Sequence, residues 1–418
     1  MKTTHLAVTM AAVLLGLSGM ALAQETTIHV MSWTTTQAPG VEYWEEITKG
    51  FEEQHPGVKI ETNFVPFNQY LPTLGSMIAG DSLPDVFYGH VKVAELGRAG
   101  KVIDWADHVD QAYLDAFYPG ALRQFNFDNG HIYALPWTAL NLGIFTNDRI
   151  MQENGLSAPE TWSELIEMVP KLRGAGLTPL AFGNVARNSC LDLFMMLVAQ
   201  YGGDGYALDD LTRPGVTWNS PPVVNALTLL DRMAKAGVFL DGVNGIDDSQ
   251  AWQLAYRGQA AMVFTGSWGP SIFAGEGSED WLKNYSVHQL PVVNEGDTKY
   301  SGNGSGEGWA VNANSPNRDI AIEFVRYLFS PEVYDEHVAG LGAFPSRPDG
   351  LDKVAEPHLA EMVSWMDTDG ANHILFGAGT YDAVANVCQG VLDGSIEPAA
   401  GAAQIQADVL ATRSGAPK

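Results

Sequence analysis

Polar and apolar residues alternate from Thr27 to Ser32 around Ile28, Val30 and the following Trp33, the period of a β-strand. Between Glu42 and Gln54 the apolar positions Trp44, Ile47 and Phe51 fall at helical spacing. That run stops before His55-Pro56-Gly57, a natural breaker. Alternation returns at Val58 to Phe64, and Tyr70 to Ala79 reads as a helix closed by Gly80. Asp85 to Tyr88 then follows Pro84 as a short buried strand. Strands alternating with helices predict an α/β domain with a largely parallel sheet.

The pattern continues in kind without repeating in sequence. Ile132 to Leu135, Leu142 to Phe145, Ala260 to Phe264 and Trp309 to Val311 read as strands. Helices are expected after Thr161, near Leu191 to Tyr201, over Val223 to Ala236 and over Arg318 to Phe329. Thr161 is placed as an N-cap, with Glu164 three residues on as its reciprocal partner. The tail from Asp382 to Leu410 is mostly helical, broken by Gly394 and Pro398.

Length changes the picture first. A chain of 418 residues exceeds one ordinary core, so two domains are expected. With 46% hydrophobic and 17% charged residues it is not a disordered chain. A formal net charge of −26, with no Lys/Arg-rich run, argues against nucleic acid and anionic lipid as partners. Met1 to Ala23 carries Lys2, an apolar stretch from Leu6 to Leu17 and then Ala21-Leu22-Ala23. That is the layout of a secretory signal cleaved after Ala23, and too short for a membrane span. Export, most simply to a bacterial periplasm, permits a disulfide between Cys190 and Cys388, although sequence separation alone does not bring them together.

Signatures of chemistry are missing. The sequence holds no G-x-S-x-G, H-E-x-x-H, P-loop or calcium loop, and its ten His lack ligand spacing, so neither a metal nor a cofactor is expected. The acid pairs Asp209-Asp210 and Asp247-Asp248 are expected on the solvated surface of so acidic a chain. The glycines from Gly302 to Gly308 lack the Lys of a phosphate cradle; they suit a close backbone approach or a bend where the chain crosses between domains. Aromatics say more: Trp33, Tyr88, Trp137, Trp268 and Trp309 sit where predicted strands end, the place where open α/β sheets bind ligands. Indole and phenol faces there suit the C–H faces of sugar rings.

Several fragments, read in order, carry a resemblance. They are Phe51 to Ile60 (FEEQHPGVKI), Ala79 to Phe87 (AGDSLPDVF), Ile132 to Pro136 (IYALP), Asn147-Asp148 and Gly155 to Trp162 (GLSAPETW). Gly258 to Met262 (GQAAM), Gly266-Ser267-Trp268 and Gly340 to Arg347 (GLGAFPSR) complete the set. Together they resemble the extracellular solute-binding proteins of ABC sugar importers, the group related to maltose-binding protein, over essentially the whole chain after the signal.

The resemblance implies a two-lobed periplasmic-binding-protein fold of type II. Each lobe is expected to be a mostly parallel sheet flanked by helices, with the ligand in the cleft between them. The first lobe would take 24–135 plus 298–344 and the second 136–297 plus 345–418. It implies a sugar ligand, permease subunits of an ABC transporter in the inner membrane as partners, a monomer, and no catalysis. Carried over residue by residue, the binding positions are Trp33 and Gln37, then Tyr88, His90 and Lys92, then Trp137, Thr138 and Asn141. Trp268 is the clearest match, a stacking platform in the second lobe, and Glu307, Trp309 and Phe344 stand near later crossovers. Val91 departs from the family, where maltose-binding protein has an acid, which puts a maltose-like contact pattern in doubt. Asp85, Trp162 and Met262 read as structural. A secreted carbohydrate-active enzyme and a binding protein for a polyamine or phosphorylated polyol are the alternatives.

Overall fold

The computed structural model describes residues 25–33, 40–127, 130–203, 208, 216–297, 299, 304–341, 343–365, 376 and 378–414. The signal-like segment, Gln37, Asp209-Asp210 and Gly302-Asn303 lie outside the described residues. Eleven strands are described: β1 (Thr26–Ser32), β2 (Val58–Phe64), β3 (Val86–Tyr88), β4 (Asn126–Phe127), β5 (His131–Ile132), β6 (Leu135–Pro136), β7 (Leu142–Asn147), β8 (Thr178–Ala181), β9 (Ala260–Gly266), β10 (Tyr285–His288) and β11 (Gly308–Val311). They form two main sheets, ordered β2-β1-β3-β11-β6 and β10-β7-β9-β8. This is the expected two-lobed α/β architecture.

Strand direction differs from expectation. β1 runs parallel to β2 and β3, and β8 parallel to β9. β11 is antiparallel to both β3 and β6, and β7 is antiparallel to β9 and β10. The sheets are therefore mixed rather than mostly parallel. A right-handed helical crossover delivers a parallel strand, whereas a segment arriving from the other lobe is free of that constraint.

Local chemistry accounts for the helices. The Thr161 hydroxyl accepts the Glu164 N–H at 3.1 Å and opens Trp162–Gly174, as expected of an N-cap. The reciprocal bond differs: Glu164 accepts the N–H of Glu160, not of Thr161, at 2.7 Å. Asp85 is buried and accepts the His29 N–H at 2.7 Å, tying β1 to β3. Trp162 and Met262 are core.

Cys190 and Cys388 are bridged, with Cα atoms 6.1 Å apart, joining Asn188–Gln200 to Ala378–Leu392 in the second lobe's helix layer. Among the described residues no helix is long and apolar enough to cross a membrane.

Three chain passes run side by side between the sheets. The Trp137 N–H donates to the Glu307 carbonyl at 2.9 Å, and the Leu140 N–H to that of Gly304 at 2.9 Å. The Ala139 N–H donates to the Phe344 carbonyl at 3.0 Å, and the Ser346 hydroxyl to that of Pro136 at 2.8 Å. The glycines serve this bend: a Cβ on Gly308 would come within 2.5 Å of the Phe125 ring.

Candidate functional site

β1, β3 and the incoming segment before β11 converge around Trp33. Trp33 follows β1 directly. Its ring meets Phe67, Tyr70, Tyr88 and His90 edge-on, with centroids 5.4, 4.6, 4.5 and 5.5 Å away. Its indole N–H donates to Glu307 Oε1 at 3.2 Å, and the Thr138 hydroxyl donates to Glu307 Oε2 at 3.1 Å. Trp33, His90, Thr138 and Glu307, four of the positions expected from sequence, are thus one connected group.

His90 is held in the left-handed region at φ 43°, a conformation costly for a non-glycine residue. Its ring reaches Tyr381 of the opposite lobe, centroids 6.5 Å apart. A second contact across the lobes runs from Asn68 Nδ2 to Asp247 Oδ2 at 3.4 Å.

Other expected positions lie elsewhere. Tyr88 is fully buried beneath Trp33 and against Trp309. Trp309 is fully buried, stacked on Trp44 at 5.5 Å. Trp137 is buried and stacks on His337 at 3.9 Å, and Phe344 is buried in the smaller core cluster with Ala139 and Phe145. None of these four rings has a free face for a ligand in this conformation. They fill the walls behind the cleft, because large rings are the cheapest way to pack where sheets and crossovers meet.

Asn141 is buried as a cross-link, its amide donating to the Met362 carbonyl at 2.8 Å and its N–H to Ser267 Oγ at 3.3 Å. Lys92 is part-exposed and pairs with Glu95 at 3.5 Å. Trp268 is partly buried between the two hydrophobic clusters and folds back over Gly266, where a Cβ would stand 2.1 Å from its ring.

Residues that sequence reading missed line the second lobe's side. Asp247 is not a free surface acid: it caps Asp248–Tyr256, with Gln250 closing the capping box. Asp248 is half-buried and accepts the Ser189 hydroxyl at 3.0 Å. Burial pushes its carboxyl up to about 7, with Asp247 and Asp192 adding to the effect and the Ser189 bond opposing it. Arg187, at φ 66°, pairs with Asp382 at 2.8 Å and lies 5.8 Å over the Tyr381 ring. The phenol of Tyr381 donates to the Ala186 carbonyl at 3.2 Å. Only Asp247-Asp248 had drawn notice in the sequence. Among the described residues no cluster of three or more His, Cys, Asp or Glu could hold a metal ion. Chemically, the arrangement offers aromatic edges, a polarised indole N–H and enclosed hydrogen-bond acceptors on two bodies that touch.

Residues 34–335 match the family described as bacterial extracellular solute-binding protein. An ABC transporter extracellular-binding protein of Pyrococcus horikoshii, itself uncharacterised, is 24% identical over 63% of this chain and 60% of its own length. The diacetylchitobiose binding protein of Streptomyces coelicolor is 22% identical over 55% of this chain and 50% of its own. The chain thus spans about half to three fifths of the length of these curated relatives. Among solved structures, a chitin oligosaccharide binding protein superposes with a TM-score of 0.81 at 21% identity. That match covers 94% of this chain and 100% of the other, a likeness of fold.

Proposed function

The chain belongs to the bacterial extracellular solute-binding protein family, and from that membership we propose that it captures a sugar, a mono- or oligosaccharide, by lobe closure and delivers it to an ABC importer. Its lobes are 24–135 with 298–344 and 136–297 with 345–418. The signal is removed after Ala23, the protein works in the periplasm as a monomer, and the transporter's permease subunits are its partners. The ligand leaves chemically unchanged.

The observation that carries this reading is the paired facing of the two lobes: Trp33 bonded to Glu307 on one side, and Tyr381 against His90 from the other. A sugar entering there exchanges its water for acceptors and aromatic edges from both bodies. Those contacts are complete only when the lobes close, so the ligand shifts the open–closed equilibrium by its differential affinity. Trp33, His90 and Glu307 form the first lobe's share, with Thr138 beside them on the crossover. Phe67, Trp268, Tyr381, Asp192 and Asp248 complete the proposed lining.

A thermal-shift screen of mono- and oligosaccharides tests the proposal, since ligand at 100 times its dissociation constant adds about 2.7 kcal/mol. The buried Asp192 and half-buried Asp248 would also suit a cation, so spermidine belongs in the panel, beside a sugar phosphate. A clear shift with one of those and none with any sugar overturns the saccharide reading. Release of altered sugar over time would instead make the protein an enzyme.

A further inference from the structure

We propose that Glu307 is a positioning residue that couples the Trp33 ring to the hinge, an assignment that rests on the sugar-binding reading for its purpose but not for its geometry. Each carboxylate oxygen has a separate task. Oε1 accepts the indole N–H of Trp33 at 3.2 Å, and Oε2 accepts the Thr138 hydroxyl at 3.1 Å. The main chain of Glu307 is fixed as well: its carbonyl accepts the Trp137 N–H and the Ser305 hydroxyl, both at 2.9 Å. One residue therefore joins the end of β1, the outgoing crossover at Thr138 and the returning crossover before β11.

The rings around Trp33 leave a need for such a link. Phe67, Tyr70, Tyr88 and His90 meet it at interplanar angles of 79°, 81°, 65° and 83°. Edge contacts of this kind confine the indole without a directional bond, whereas N–H donation to a charged oxygen fixes its twist. A stacking surface is useful to a sugar at one tilt only. Thr138 and Glu307 lie on two passes that must bend together when the lobes close, and the backbone bond from Leu140 to Gly304 keeps those passes in register. A twist of one pass against the other therefore moves the carboxylate, and with it the indole. Seating a ligand on Trp33 biases the hinge by the same link, since coupling acts in both directions.

The test compares Glu307→Ala with Glu307→Gln in the full chain carrying 15N-labelled tryptophan. The Trp33 indole resonance is assigned by its loss in Trp33→Phe. The amide of Gln keeps an acceptor for Trp33 and a donor for the Thr138 oxygen, so its spectrum should stay near wild type. Ala should shift the Trp33 N–H signal and change the unliganded lobe spacing measured by small-angle scattering. With maltose or diacetylchitobiose as probes, affinity should fall roughly tenfold or more in Glu307→Ala, as for a lost bond to a charged group, and be largely rescued in Glu307→Gln. An unmoved indole signal in the Ala variant overturns the proposal. So does a Gln variant as weak as Ala with its indole unshifted, which would make Glu307 a direct ligand contact. If neither sugar binds the wild type, the saccharide reading loses support while the indole signal still decides the role of Glu307.

Discussion

The Tyr381 ring stands against His90 with centroids 6.5 Å apart, so a helix of the second lobe touches the loop that ends β3 of the first. Both neighbours of that phenol, His90 and Arg187, hold left-handed backbone conformations. Strain of this kind persists only where surrounding packing overdetermines it. Removing the ring should therefore loosen the closed arrangement. For Tyr381→Ala we expect a larger radius of gyration without ligand. We also expect a weaker apparent affinity, by up to about tenfold for an aromatic contact worth 0.5–1.5 kcal/mol. Identical scattering and affinity would show that the contact does not bias closure.

Trp268 packs against both hydrophobic clusters and is only partly buried, which leaves part of its indole for a ligand. Trp268→Ala should weaken sugar binding by about 1–3 kcal/mol while the protein stays folded. Gly266→Ala should displace the same ring, because its new methyl would overlap it. Calorimetry that finds unchanged affinity in both variants removes Trp268 from the site.

The Cys190–Cys388 bridge fixes Ala378–Leu392, which carries Tyr381, onto Asn188–Gln200, whose first turns carry Ser189 and Asp192. A cross-link closing so long a loop stabilises mainly by restricting the unfolded chain. Replacing both cysteines with alanine should cost roughly 2–5 kcal/mol in denaturant unfolding. Wild type unfolded with and without dithiothreitol should show the same gap, and coincident midpoints would contradict it.

His337 is buried with both ring nitrogens unpartnered, and burial depresses its pKa from 6.5 to about 3. The unfolded chain takes up this proton first on acidification. The contribution to stability is therefore full above pH 6.5 and is lost as pH falls toward 3, by at most about 1.4 kcal/mol per pH unit. His337→Phe preserves the stack on Trp137 and removes the proton. Its melting temperature should fall less steeply than that of wild type between pH 6.5 and 4; parallel curves would refute the assignment.

Asp248 works with the opposite sign. Its folded pKa is raised from 3.8 to about 7, so the folded state holds the proton more tightly than the unfolded chain. Stability from this group is full below pH 3.8 and is lost as pH rises through 7. Asp248→Asn retains an acceptor for Ser189, so the variant should gain on wild type from pH 4 upward and level off above 7. A difference independent of pH, read by thermal unfolding, would show that Asp248 is not protonated in the fold.

Much of the fold was legible because alternation and breakers are local signals. β2 spans Val58–Phe64 as read, and the Gly394 and Pro398 break separates two helices. β8 escaped: its four residues are all buried, so it shows no alternation, and it contains Pro179, which its place at the sheet edge tolerates. In the proposed site, Trp33 and His90 were legible as residues just beyond strand ends, and the structure brings them together. Trp137, Trp309, Tyr88 and Phe344 carry the same signal yet are buried, because strand ends abut the core as well as open surface and sequence does not say which way a ring turns. Tyr381 and Asp192 gave no signal, since only tertiary packing and the bridge bring their two helices together.

The order β2-β1-β3-β11-β6 also sets a schedule for biosynthesis. β11 must insert between β3 and β6, and it is made only after about three quarters of the 418 residues. Until then β6 has no strand partner among the described residues and β3 has an open edge, so the growing chain cannot complete its first sheet. The Cys388 half of the bridge arrives later still. A truncated translation product would release a sheet with unpaired edges, ready substrate for a protease.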